Sequence, residues 1–263
     1  GNAYAKVFKE VYGQATSTDM MRKYYNLGTA VNLQGLNDLQ SLPWNNLQKT
    51  CDPALAGITG EAFADETLLR NGACSGCPVG CIHIGYIREK TQQDNRYHYH
   101  QVAYDYEPIF AAGTMLGVTK PFDVLRILDV MDKVCLDAMS GGVALAWATE
   151  ASERGLVSEK ETVVRLKFGD AVAYRQAAEY LGRGINDFYR LLGMGTLRAA
   201  AAYGGGEFAC VLGQEMAGYA TGELFFAAQT LGFRHSHLDT GAYSYDQKNA
   251  DRDVTKAVDY LVA

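Results

Sequence analysis

No stretch of this 263-residue sequence approaches the roughly 18 consecutive apolar residues that a membrane-spanning helix needs, and no signal peptide opens it. A membrane protein is therefore not expected. Runs of lysine and arginine are missing too: 24 basic residues face 30 acidic ones, and the formal charge of −6 argues against a nucleic-acid surface. No internal repeat appears, and no low-complexity tract beyond the alanines at 199–202. No second C-x2-C or H-x3-H pair stands where it would complete a zinc site. Nothing marks the chain as secreted, so its six cysteines read as ligands and buried thiols, and a cytoplasmic location is expected.

What is present is an ordinary globular composition, 48% hydrophobic and 21% charged, long enough for one large domain or two modest ones. Within it, A-C-S-G-C-P-V-G-C-I at 73–82 places three of the cysteines inside eight residues. Cys74, Cys77 and Cys81, at x2 and x3 spacing, can converge on one iron-sulfur cluster that takes a further thiolate from elsewhere. Gly76 and Gly80 let the backbone bend around it and Pro78 stiffens the turn. Zinc is the rival metal, since C-x2-C is half of a zinc site.

The chain around this stretch reads mainly as helix. Apolar residues recur at helical spacing from 3 to 40, with Ser17-Thr18-Asp19 as a cap. A helix at 60–69, with Thr59 as N-cap and Asn71-Gly72 as its stop, delivers the chain to Cys74. After Cys81 the period changes to two at 82–87 and 97–102, joined by a polar link, which predicts a hairpin. There His83, His98 and His100 read as solvent-side strand positions in preference to metal ligands. Further helices are predicted at 123–134, at 143–154 opened by Ser140-Gly141-Gly142, at 170–181 and at 187–203 loosened by Gly193 and Gly195. Ser158 and Glu161 are spaced as a capping box. Gly204-Gly205-Gly206 suggests a boundary between a helical domain at 1–205 and the start of a second at 206–263. The expected fold is mainly α, multi-helical, with a small β-hairpin.

The cysteine phrase resembles C-x2-C-P-I/V-G-C, the cluster-binding motif of the tungsten-containing aldehyde:ferredoxin oxidoreductases, which hold tungsten in a bis-pterin beside a 4Fe-4S cluster. Further phrases resemble that family's in the same order, and together they span most of the chain. Ser41 to Leu47 resembles A-L-P-x-x-N-F/W. Tyr104 to Gly113 resembles P-E-Y-E-T-x-x-x-x-G, whose second glutamate lies beside the tungsten and falls on Glu107. Asp132-Lys133-Val134-Cys135-Leu136-Asp137 resembles the pterin-binding phrase D-x-x-G-L-D, with Cys135 in place of glycine. Gly213 to Tyr219 resembles K-G-L-E-M-P-A-Y through Glu215, with Leu212 for lysine and Ala217 for proline, and the D-P-R that follows in the family is replaced here. Phe233 to Leu238 resembles R-G-x-x-H-L, which makes His237 the active-site histidine, with His235 as its near alternative.

The resemblance implies an oxidation of aldehydes to carboxylic acids, with electrons leaving through the 4Fe-4S cluster to ferredoxin. Glu107 and His237 then serve proton transfer and substrate polarisation, Asp132, Leu136, Asp137 and Glu215 face the pterins, and molybdenum could replace tungsten. A homo-oligomer is compatible with it. The plain alternatives are a helix N-terminal acid for Glu107, helix-end acids for Asp132 and Asp137, a solvated acid for Glu215 and a surface loop for His237. The family's N-terminal domain and the later D-x-x-G-L-C phrase with its fourth cysteine are not among these residues. The chain therefore reads as the second domain and the beginning of the third, inactive by itself. From another class, the rival is a non-catalytic iron-sulfur or zinc-binding module for electron transfer or structure.

Overall fold

The computed structural model describes residues 1–17, 19–90, 96–249 and 253–262, so Thr18 of the first predicted cap and most of the hairpin link lie outside the described residues. The chain begins with α1 (Asn2–Ser17) and α2 (Asp19–Leu27), then passes a 3-10 turn at Gly28–Val31 into α3 (Asn32–Asp38). α4 (Gly60–Thr67) runs directly into β1 (Leu68–Gly72), followed by β2 (Ile82–Lys90) and β3 (Tyr97–Tyr104). The helices α5 (Tyr106–Ala112), α6 (Pro121–Lys133), α7 (Ala138–Glu153), α8 (Glu159–Thr162), α9 (Ala171–Arg183), α10 (Asp187–Leu192) and α11 (Thr196–Tyr203) then build the body. α12 (Glu223–Leu231), α13 (Ala242–Lys248) and α14 (Val254–Val262) close it. The protein is mainly α with one small antiparallel sheet, and no described helix is long and apolar enough to cross a membrane.

Local chemistry explains many of the boundaries. Thr59 accepts from the Ala62 amide at the start of α4, and Ser158 with Glu161 forms the complete capping box of α8. The pattern at 187–203 is broken into α10 and α11 at Gly195, whose φ is 116°. α7 starts at Ala138, two residues before Ser140, because Asp137 Oδ1 accepts from the Ser140 amide at 2.7 Å.

The predicted hairpin is joined by a third strand. The helix at 60 stops at Thr67, and Leu68–Gly72 pairs with β2 through Arg70↔Ile84, Asn71↔His83 and Gly72↔Ile82, covering an edge that would otherwise leave backbone groups unpaired. On β2 the fully buried positions are His83, Gly85 and Ile87. His83 is thus not on the solvent side: it is 0% exposed. His98 is exposed, and His100 faces Asp129, Nδ1 to Oδ1, at 3.4 Å.

At the centre lies α7, buried along 141–151 on every face, as expected of a helix apolar all round. Its Gly142 allows α5 to approach: a Cβ there would stand 2.4 Å from the carbonyl oxygen of Ala111. Trp147 Nε1 donates to the Gly205 carbonyl at 3.1 Å, and Met216, Tyr219 and Phe225 pack into the same core. Leu224, Ala228 and Ala242 form a second, small cluster with Tyr245. The fold thereby seats α5, with Glu107 in its first turn, against the stretch that carries Tyr219.

Candidate active site

Three regions hold the residues singled out by the sequence. The first is the cysteine loop, whose ends are fixed because Gly72 and Ile82 are paired across β1 and β2. Within it the Cys77 amide donates to the Cys74 carbonyl at 3.0 Å, and Gly76 and Gly80 adopt φ of 76° and 67°. Asn71 Nδ2 donates to the carbonyls of Tyr25 and Gly80, at 2.6 and 3.0 Å. Cys74 and Cys77 are exposed, Cys81 is half-buried, and all are free thiols. Among the described residues no group of three His, Cys, Asp or Glu side chains is drawn together tightly enough to hold a metal ion.

The second region brings Glu107 and His237 to one aromatic cluster. The Tyr219 hydroxyl donates to Glu107 Oε1 at 2.8 Å. The Tyr219 ring stacks on Tyr106 at 4.9 Å and on Tyr243 at 4.4 Å, and the His237 ring lies 5.4 Å from it. The Tyr106 hydroxyl donates to the Gly218 carbonyl, which fixes the backbone beside Tyr219. Burial, and then the charge of Glu107, push the Tyr219 phenol far above its ordinary range, so it stays protonated as a donor. Burial lowers the His237 imidazole below its usual value against the opposing pull of Glu107 and Asp239, which leaves it neutral near pH 7. Arg234 and Asp239 clamp the loop that carries His237, with guanidinium bonds to Asp239 Oδ1 at 3.0 and 2.8 Å. His235 turns away, its Nδ1 facing the Gln229 carbonyl at 3.1 Å. Just before α5, Asp105 has a buried Oδ1 without a partner, and burial first, then Glu107, raise its carboxyl to about 6.

The third region is the corner between two helices together with Glu215. Asp132 to Asp137 forms the corner between α6 and α7. The Leu136 amide reaches back to the Met131 carbonyl and the Cys135 amide to that of Asp132, with Cys135 at φ 57°. This is the Schellman arrangement, and Cys135 occupies its left-handed position, which explains why glycine is the expected residue there. Asp137 caps α7, and Asp132 is exposed, its carboxyl raised by partial burial and by Asp129. Glu215 Oε1 accepts from the Thr196 amide and hydroxyl, at 3.0 and 3.1 Å, and so caps the start of α11 from outside.

The family model described as "Aldehyde ferredoxin oxidoreductase, domains 2 & 3" matches residues 6–260. The chain belongs to this family. The tungsten-containing aldehyde ferredoxin oxidoreductase of Pyrococcus furiosus is 28% identical over 177 residues, covering 67% of this chain and 27% of that protein. Its counterpart in Pyrococcus abyssi is 27% identical over 197 residues, 73% of this chain and 31% of that protein. A Pyrococcus furiosus protein named "Aliphatic sulfonate oxidoreductase, WOR-like subunit" is 30% identical over 127 residues, 48% of this chain and 19% of its own length. The chain thus spans about a third or less of the curated relatives it matches.

In this member of the aldehyde ferredoxin oxidoreductase family the structure adds one residue that the sequence reading did not single out. Tyr219 stands between Glu107 and His237, yet in sequence it closes a glycine-flanked phrase like any other buried tyrosine. Its pairing with an acid 112 positions away had no signal short of the fold.

Proposed function

We propose that this chain forms part of an oxidoreductase that converts aldehydes to carboxylic acids and passes the electrons to ferredoxin. The observation that carries the proposal is the meeting of Glu107, Tyr219 and His237 in one half-buried aromatic cluster. Conversion of an aldehyde and water to an acid releases protons with the electrons, so the site needs a base. Glu107, oriented by the Tyr219 hydroxyl, is that base, and neutral His237 donates to the substrate carbonyl oxygen.

The donor set fits the metal groups of the family in chemistry. Three free thiols on a loop held at both ends suit a 4Fe-4S cluster with a fourth thiolate from outside this chain. The corner at Asp132, Leu136 and Asp137 offers carboxylates and a helix end to pterin N–H groups, with Glu215 as a further acceptor. When bound, a tungsten or molybdenum bis-pterin supplies the two-electron redox chemistry and the cluster a route outward. Residues 206–263 would begin the next domain, and the cytoplasm is the expected compartment.

A second reading, a non-catalytic cluster- or zinc-binding module, is favoured by the engagement of Asp137 and Glu215 as helix caps. Aldehyde-dependent reduction of a viologen dye separates the two: the full-length protein should show it and the 263-residue chain should not. Reduction by the isolated chain, or none by the metal-replete full-length protein, would contradict the proposal.

A further inference from the structure

The cysteine loop and the Glu107 pocket are both tied to one short segment, residues 25–29. On the loop side, His83 is 0% exposed and sandwiched between carbonyls: Nδ1 faces Cys81 O at 3.1 Å and Nε2 faces Asn26 O at 3.2 Å. Gly28, at φ 63°, closes over the ring, and a Cβ there would stand 2.5 Å from His83 Nδ1. Asn71 adds a second tie, from the Tyr25 carbonyl to that of Gly80. On the pocket side, Thr29 Oγ1 accepts from the Tyr106 amide at 2.9 Å, and Tyr106 stacks on Tyr219.

We infer that His83 is a positioning residue: it straps the Cys81 end of the cysteine loop to the α2 terminus, so that the loop and the Glu107–Tyr219 pocket are held in one frame. An imidazole is suited to this because its two nitrogens lie on opposite edges of a rigid ring: the neutral form donates its one N–H to either carbonyl, and the protonated form donates to both. A fully buried ring with both nitrogens on backbone of neighbouring segments is more than a filler of space, since leucine would fill the volume but offer no donor to either carbonyl. The inference rests on the reading of Cys74, Cys77 and Cys81 as cluster ligands, but the strap itself is a property of the chain.

The test uses the full-length protein with His83→Leu, His83→Asn and His83→Gln, asparagine retaining reach toward Cys81 O and glutamine toward Asn26 O. In the metal-free proteins, alkylation of Cys81 by iodoacetamide is followed by mass spectrometry, with Cys51 as the internal reference. Cys81 should react about fivefold faster in His83→Leu, less so in the two polar variants, while Cys51 is unchanged. In the anaerobically purified proteins, the reduced cluster should show a broadened or shifted EPR spectrum in His83→Leu, with recovery toward the wild type in His83→Asn. Equal Cys81 rates in the wild type and in a His83→Leu protein that retains the wild-type circular dichroism would overturn the strap. A wild type that holds no iron would contradict the cluster reading, and the alkylation rates would then decide the strap alone. If His83→Leu fails to fold, the decision falls to His83→Gln, which has no reach toward Cys81 O, and a Cys81 rate there equal to the wild type would overturn the strap.

Discussion

The Tyr219 hydroxyl donates to Glu107 across 112 positions of sequence, and that bond unites the first turn of α5 with the stretch before α12. In the proposed function this bond has a catalytic side besides its structural one, and mutation can separate the two. In the full-length protein, Tyr219→Phe keeps the ring stacking on Tyr106 and Tyr243 and removes only the donor. Aldehyde oxidation should fall about tenfold to a hundredfold, read as kcat in a dye-reduction assay, while stability falls by only about 1 kcal/mol. An unchanged kcat would show that Glu107 does not depend on this bond.

The corner between α6 and α7 predicts opposite effects from neighbouring residues. Cys135 lies in the left-handed region at a cost of about 1 to 2 kcal/mol, whereas glycine carries an entropic penalty of about 0.5 to 1 kcal/mol. The conformational term is the larger, so Cys135→Gly should stabilise the chain by up to about 1 kcal/mol in urea unfolding. Asp137→Ala, which removes the cap on the Ser140 amide, should destabilise it by about 1 kcal/mol.

Much of this architecture is legible in the sequence because it rests on local chemistry. The caps at Thr59 and Ser158 and the apolar spacing within 123–134 depend on residues a few positions apart. The parts that escape are those settled by distant partners. Residues 68–72 look like the end of a helix until β2 lies beside them, and His83 looks like a solvent-side strand position until α2 covers it. The phrase at 132–137 has a local explanation in helix caps, so its spacing alone does not announce a cofactor.

The titrations have opposite signs. Asp105 is raised from 3.8 to about 6 in the fold, so the native state binds more protons than the unfolded chain between those values. Its contribution is full below pH 3.8 and is lost as pH rises through 6. Asp105→Asn should therefore gain stability relative to the wild type at pH 7.5, by about 1 to 2 kcal/mol after allowing for partial exposure, and gain less at pH 5.

His237 runs the other way. Its folded value lies below 6.5, so the unfolded chain binds more protons as pH falls through 6.5, and stability and the neutral donor are both lost toward acid. The kcat/KM of the full-length protein should be level above pH 6.5 and fall only on the acid side of it. In His237→Asn that acid limb should disappear along with most of the rate.

In the function proposed for it, this chain is part of a tungsten and iron-sulfur enzyme. The most direct measurement is the iron and tungsten content, per chain, of the full-length protein purified without oxygen. About four irons with one tungsten or molybdenum are expected. Zinc alone, or iron without either of those metals, would contradict it.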